Sequence, residues 1–248
     1  TSLLWGLWFG HRKTSPGRGE VLFLCSENLV AQGFRFMQKA HIRKVILARL
    51  LYLIYKGGVQ MDLSGKKILI DPGHGGEFSG KTYKGRQEKD CTLKISKALE
   101  NLLEEEGATV YMTRTRDKDF GGKNLDDDIN KRVKYINERY SGKGIDVLLS
   151  IHVNTERLIS RVGVLYPEKG KASKILAENL ARKYATFMGN TGYGEADLAI
   201  LRDTKVAGAK ALIETGKINQ SWYDDDEEVE QAAFAIVAGL YDYFREID

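Results

Sequence analysis

Two histidines, His74 and His152, each follow an apolar run that reads as a β-strand, and two histidines so placed can share one metal ion. The first lies in Ile68-Leu-Ile-Asp-Pro-Gly-His-Gly-Gly76, where three aliphatic residues meet Asp71-Pro72-Gly73, a combination that forces a tight turn. The second lies in Val147-Leu-Leu-Ser-Ile-His-Val-Asn154, and the chain holds only four histidines in 248 residues. Two carboxylates stand in comparable places. Glu214 closes the run Ala211-Leu-Ile-Glu214, and Glu88 sits in Gln87-Glu-Lys-Asp90, just ahead of a helix expected from Thr92. Two imidazoles and one carboxylate leave a fourth position for water, the pattern of a catalytic rather than a structural zinc. A second carboxylate can then deprotonate that water. Taken singly, each residue has a plainer reading. A His after Pro-Gly is a common turn residue, and Glu88 suits a solvated helix start. Glu214 could be a core carboxylate or half of a buried ion pair, and Asp71 a turn cap.

The elements that must bring these residues together are those of an α/β fold: a single domain with a mainly parallel twisted sheet flanked by helices. Parallel strands deliver their C-terminal ends to one edge, where open sheets of this kind bind ligands. Strands are expected at 67–71, 109–113, 147–152, 162–166, 198–201 and 211–214. Val147–His152 is continuously apolar and so central. Helices are expected at 92–106, from Asp126 or Asp127 to Tyr140, at 171–188 and at 226–245, with Gly107 ending the first. The acidic run Asp224-Asp-Asp-Glu-Glu228 suits the positive end of the last helix dipole. The stretch 117–127 reads as a loop.

The chain's net charge of +4 is uneven. Residues 1–60 hold nine Lys/Arg and two Asp/Glu, leaving 29 and 32 of the totals of 38 and 34 for the remainder. That mildly acidic remainder has no electrostatic footprint for nucleic acid. Two cysteines, Cys25 and Cys91, define neither a disulfide framework nor a structural zinc site. The apolar run Val45–Tyr55 is short and interrupted by Arg49, so no stable membrane insertion is expected, and no secretory signal is recognisable. Lys56-Gly57-Gly58-Val59-Gln60-Met61 matches a translated bacterial ribosome-binding site and start codon. Residues 1–60 are therefore expected to be a non-domain extension, read from upstream sequence, and 61–248 the catalytic domain. The alternative is a basic arm or a membrane-surface helix near 41–55.

The combination of Asp71-Pro-Gly-His-Gly-Gly76, Glu88-Lys-Asp90, Ser150-Ile-His-Val-Asn154 and Glu214-Thr-Gly216 resembles the zinc-dependent N-acetylmuramoyl-L-alanine amidases of the Amidase_3 type, across residues 66–246. Thr113-Arg-Thr-Arg-Asp117 and Leu201-Arg202 are similar to that family as well. The resemblance implies one Zn2+ per chain held by His74, Glu88 and His152, with Glu214 as the catalytic carboxylate and Asn154 positioning substrate. It also implies a peptidoglycan hydrolase, expected as a monomer, that acts on the bacterial cell wall and cuts the amide between N-acetylmuramic acid and L-alanine. Thr215-Gly216-Lys217 and Ala209-Lys210-Ala211 depart from the family pattern while leaving Glu214 in place. No helical insertion or wall-binding module is expected. A catalytically impaired peptidoglycan-binding or regulatory protein on the same scaffold is the alternative function, and retention of Glu214 speaks against it.

Overall fold

The structure is a computed structural model and describes residues 61–154, 162–189 and 191–248; the expectations for residues 1–60 lie outside them. A six-stranded sheet has the order Thr109–Met112 (β4), Lys67–Pro72 (β1), Ile145–Asn154 (β5), Ala207–Lys217 (β8), Val162–Tyr166 (β6), Thr191–Glu195 (β7). Four strands, β4, β1, β5 and β8, run parallel. β6 is antiparallel to β8 and carries β7 parallel to itself, so the sheet is mainly parallel, as expected.

Strand alternation sorts the side chains into two layers. Ile68, Ile70, Val147, Leu149, Ile151, Ala211 and Ile213 face a large apolar layer. Helices α1 (Glu88–Glu105), α3 (Lys171–Met188) and α5 (Asp226–Ile247) complete it, and Cys91 of α1 is buried there. Leu69, Leu148 and Leu212 face the opposite way, onto α2 (Leu125–Arg139) and the single turn α4 (Ala199–Arg202). By the same alternation Asp71, Ser150, His152 and Glu214 belong to this second, thinner side. No helix among the described residues is long and apolar enough to cross a membrane.

Several elements differ from those expected. Leu198–Leu201 is not a strand: Leu198 is extended and the following turn, α4, buries Ile200 and Leu201. Short apolar runs carry no period that separates strand from helix. The neighbouring strand is instead β7, Thr-Gly-Tyr-Gly-Glu, an edge strand whose glycines hide its propensity. β8 has 11 residues, not four, because its first half is Ala-Gly-Ala-Lys. α1 begins at Glu88, four residues before Thr92, and α2 is capped by Asn124, whose side chain accepts from the Asp127 amide. A small hairpin precedes α1, β2 (Thr82–Tyr83) with β3 (Arg86–Gln87). Its two-residue turn, Lys84-Gly85, has both φ positive (46° and 86°), as a type I′ turn requires. Gly107, with φ +84°, ends α1 as expected.

Candidate active site

The β1, β5 and β8 ends lie side by side, and their register sets the site. Asp71 pairs with Ser150, and His152 with Glu214. His74 stands on the turn that leaves β1. It has φ +60°, a left-handed conformation that costs a non-glycine residue about 1–2 kcal/mol and persists only where the surroundings impose it.

Glu88 is 2% exposed and is fixed through both carboxylate oxygens. Oε1 accepts from the Val153 amide (2.9 Å) and lies 3.2 Å from His152 Nδ1. Oε2 accepts from the Lys81 amide (2.9 Å) and lies 3.3 Å from His74 Nε2. The imidazoles meet edge to face, with centroids 5.1 Å apart. One donor atom from each of His74, Glu88 and His152 falls within 4.8 Å of the others. Donors about 2.0–2.1 Å from a tetrahedral zinc are about 3.3 Å apart, and each imidazole nitrogen lies at about that distance from one of the two Glu88 oxygens. The donor set is also the one zinc takes. These residues therefore fit such an ion.

The electrostatics follow from this packing. Burial would raise the Glu88 carboxyl, but hydrogen bonds and charge from His152 and His74 prevail and hold it well below the usual range. Burial would lower His152, yet the Glu88 hydrogen bond, with the charges of Glu88, Glu214 and Asp71, keeps it above its ordinary value. Glu214 goes the other way. Burial, aided by the nearby Glu88 charge, raises its pKa against the pull of His152 and Lys81. Its Oε2 is buried without a hydrogen-bond partner, as is His74 Nδ1. A carboxylate with an unmet oxygen and a raised pKa beside a metal-type trio is suited to accept a proton.

The Amidase_3 family, N-acetylmuramoyl-L-alanine amidase, matches residues 68–242. The chain belongs to this family. The probable cell wall amidase LytH of Staphylococcus aureus is 34% identical in an alignment of 192 positions that covers 73% of this chain. The chain spans 60% of that relative's length. The CwlD amidase from Clostridioides difficile, solved in complex with the GerS lipoprotein, superposes with a TM-score of 0.66 at 25% identity, over 74% of this chain and all of that one. An N-acetylmuramoyl-L-alanine amidase from Clostridium difficile 630 gives 0.63 at 28% identity, over 74% and 98% of the two chains.

Within this Amidase_3 domain, His74 on the turn after β1, Glu88 at the start of α1 and His152 on β5 come together, and Glu214 of β8 pairs beside His152. Asn154 follows two residues beyond His152 on β5. It is buried, past a register shift in which β8 advances three residues, Glu214 to Lys217, while β5 advances two. Thr215 locks that shift by donating from its hydroxyl to the His152 carbonyl (2.9 Å). Beside His74 and His152 opens a cavity of about 450 Å³ on the thin side of the sheet, walled by Leu125, Ile129, Leu198, Ile200 and Leu212.

Sequence reading missed the polar layer beneath the site. Asp71, 1% exposed, is no turn cap: it accepts from Thr113 Oγ1 (2.6 Å), Ser150 Oγ (3.0 Å) and Arg132 Nη1 (2.9 Å). Burial would raise its carboxyl, but Arg132 and these hydrogen bonds hold it low. A signal was present: Asp128 and Arg132, four apart, interrupt the inward stripe of α2 beside Val133 and Ile136.

Proposed function

We propose that the chain is a zinc-dependent N-acetylmuramoyl-L-alanine amidase that hydrolyses the amide between N-acetylmuramic acid and L-alanine in peptidoglycan. The observation that carries the reading is the convergence of His74, Glu88 and His152 in a member of the Amidase_3 family. These three residues would hold the zinc, which supplies a Lewis acid for the scissile carbonyl and lowers the pKa of water towards about 7. The other steps fall to the chain. Glu214 takes a proton from the attacking water as the new C–O bond forms, and gives it to the leaving nitrogen as the C–N bond breaks. The raised pKa of Glu214 brings proton uptake and release closer in energy. Glu88, held by the Lys81 and Val153 backbone amides, keeps its carboxylate in place while Glu214 takes up and releases the proton. The cavity walled by Leu125, Ile129 and Leu198 offers substrate an apolar flank. Asn154 would act at the far end of β5.

Purified protein should carry about one zinc per chain, lost in His74→Ala and His152→Ala. Glu214→Gln keeps size and most hydrogen bonding but removes the base. It should retain zinc while amide cleavage falls at least about 100-fold. Muropeptide analysis with and without chelator reads both outcomes. Equal turnover by zinc-loaded Glu214→Gln and unchanged protein would remove Glu214 from the mechanism. Absence of turnover in both would favour a binding protein on the same scaffold.

A further inference from the structure

Three separate segments carry the trio: the turn after β1, the first residue of α1 and the end of β5. We propose that Arg114 and Arg132 are positioning residues that lock these segments together before any metal ion arrives. The inference rests on reading His74, Glu88 and His152 as the zinc ligands.

Both guanidiniums converge on the backbone of the turn. Arg132 donates from Nη1 to the Pro72 carbonyl (2.8 Å) and from Nη2 to the His74 carbonyl (2.6 Å). Arg114 donates from Nε to the Pro72 carbonyl (3.0 Å) and from Nη2 to the Gly73 carbonyl (2.9 Å). Two side chains therefore hold the carbonyls of three successive residues, ending on His74, whose left-handed backbone needs such restraint.

Each arginine then reaches a second segment. The two N–H groups of Arg114 Nη2 are shared between the Gly73 carbonyl and, in the first turn of α1 beside Glu88, the Lys89 carbonyl (2.8 Å) and Thr92 Oγ1 (3.0 Å). Arg132 pairs with Asp71, and Asp71 accepts from Ser150, two residues before His152 on β5. An unbroken run of hydrogen bonds thus joins α1, the turn and β5. The arginines are only 2% and 5% exposed, so little water competes for these donors. An ion pair with Asp71 would need one of them. Most of the donors instead go to backbone oxygens, in a planar fork that lysine cannot reproduce.

Charge and position predict opposite signs. Two cations near a cation site oppose binding, so removing one should tighten zinc if charge dominates and loosen it if position dominates. The test measures zinc affinity by chelator competition on the full chain, for Arg114→Lys, Arg132→Lys, Arg132→Met and, as control, Arg182→Lys on the exposed face of α3. Each protein's fold is checked by circular dichroism and thermal melting. All three site variants should bind zinc at least about tenfold more weakly, and the control within twofold. Folded site variants that bind within twofold, or an Arg132→Met that binds more tightly, would overturn the proposal.

A second arm needs no variant. In the unchanged chain stripped of metal, the Gly73 and Gly75 amides, bonded to the Ile151 and Phe78 carbonyls, should exchange with solvent within tenfold of their zinc-loaded rates. Exchange more than about 100-fold faster without metal would show that zinc, not the arginines, orders the turn. This arm decides the matter if the variants do not fold. If the unchanged chain binds no zinc, the ligand reading fails, and the clamp is then judged by exchange in the folded arginine variants. Arg114→Lys and Arg132→Lys should speed the Gly73 and Gly75 amides by more than about tenfold, and unchanged rates would overturn it.

Discussion

At the scale of single residues, the site's dimensions depend on missing side chains as much as on those present. Gly80 has φ +69°, and a Cβ there would lie 2.6 Å from both Glu88 Oε2 and His74 Cδ2. Gly73 backs onto His152, where a Cβ would fall 2.5 Å from Cε1 and Nε2. Gly85 offers a matched comparison, with φ +86° and nothing within 4 Å of its would-be Cβ. Alanine at either Gly80 or Gly85 bears the same left-handed strain, about 1–2 kcal/mol. Only at position 80 does it also displace two members of the trio. Gly80→Ala should therefore lower zinc affinity at least about tenfold, whereas Gly85→Ala should lose stability alone. Paired chelator titrations and thermal melts measure the two effects, and indistinguishable zinc affinities would refute this reading.

Elements set which parts of the site were visible in the sequence. β1, β5 and the Ala211–Glu214 part of β8 were legible because aliphatic runs end in residues that turn or bear chemistry, and His74, His152 and Glu214 take their places from those runs. The first half of β8 and all of β7 were not, since alanine and glycine carry little strand signal. Arg114 and Arg132 escaped for a different reason. Their partners are mainly backbone carbonyls, 41, 42, 58 and 60 residues away for the turn, and no local pattern encodes a bond to a carbonyl. α2 brings Arg132 to the turn, and its start depends on Asn124, whose side chain accepts from the Asp127 amide (2.9 Å). Asn124→Ala should cost about 1 kcal/mol of unfolding free energy. Arg132 lies two turns further on, so zinc affinity should stay within twofold. Urea denaturation beside a zinc titration separates these effects, and a large loss of affinity would mean that α2 moves as a unit.

On the scale of the whole molecule, the sheet divides labour between its faces. The thick layer of α1, α3 and α5 holds most of the buried apolar residues, and the thin side is left to the cavity and the polar layer. The apolar layer reaches back to Met61 and Leu63, 6% and 1% exposed, and the Leu63 amide donates to the Glu106 carbonyl (2.8 Å). A chain beginning at Met61 thus retains all the groups described for core and site. It should unfold in one cooperative transition, bind zinc and cleave peptidoglycan as the full chain does. A melting temperature lowered by more than about 5 °C would assign a structural role to residues before Met61.

Cys91 gives this architecture a property of a different kind. It is the single cysteine among the described residues, unbridged and buried on α1, and burial pushes its thiol up to about 12. Thiolate is the form that oxidises and exchanges, so at neutral pH this sulfur is close to inert. Nothing covalent in the domain then registers whether its surroundings are oxidising or reducing. The segment 61–248 should refold to the same yield and melting temperature in glutathione buffers of opposite poise. A domain built this way should reach its native state in oxidising and reducing surroundings alike.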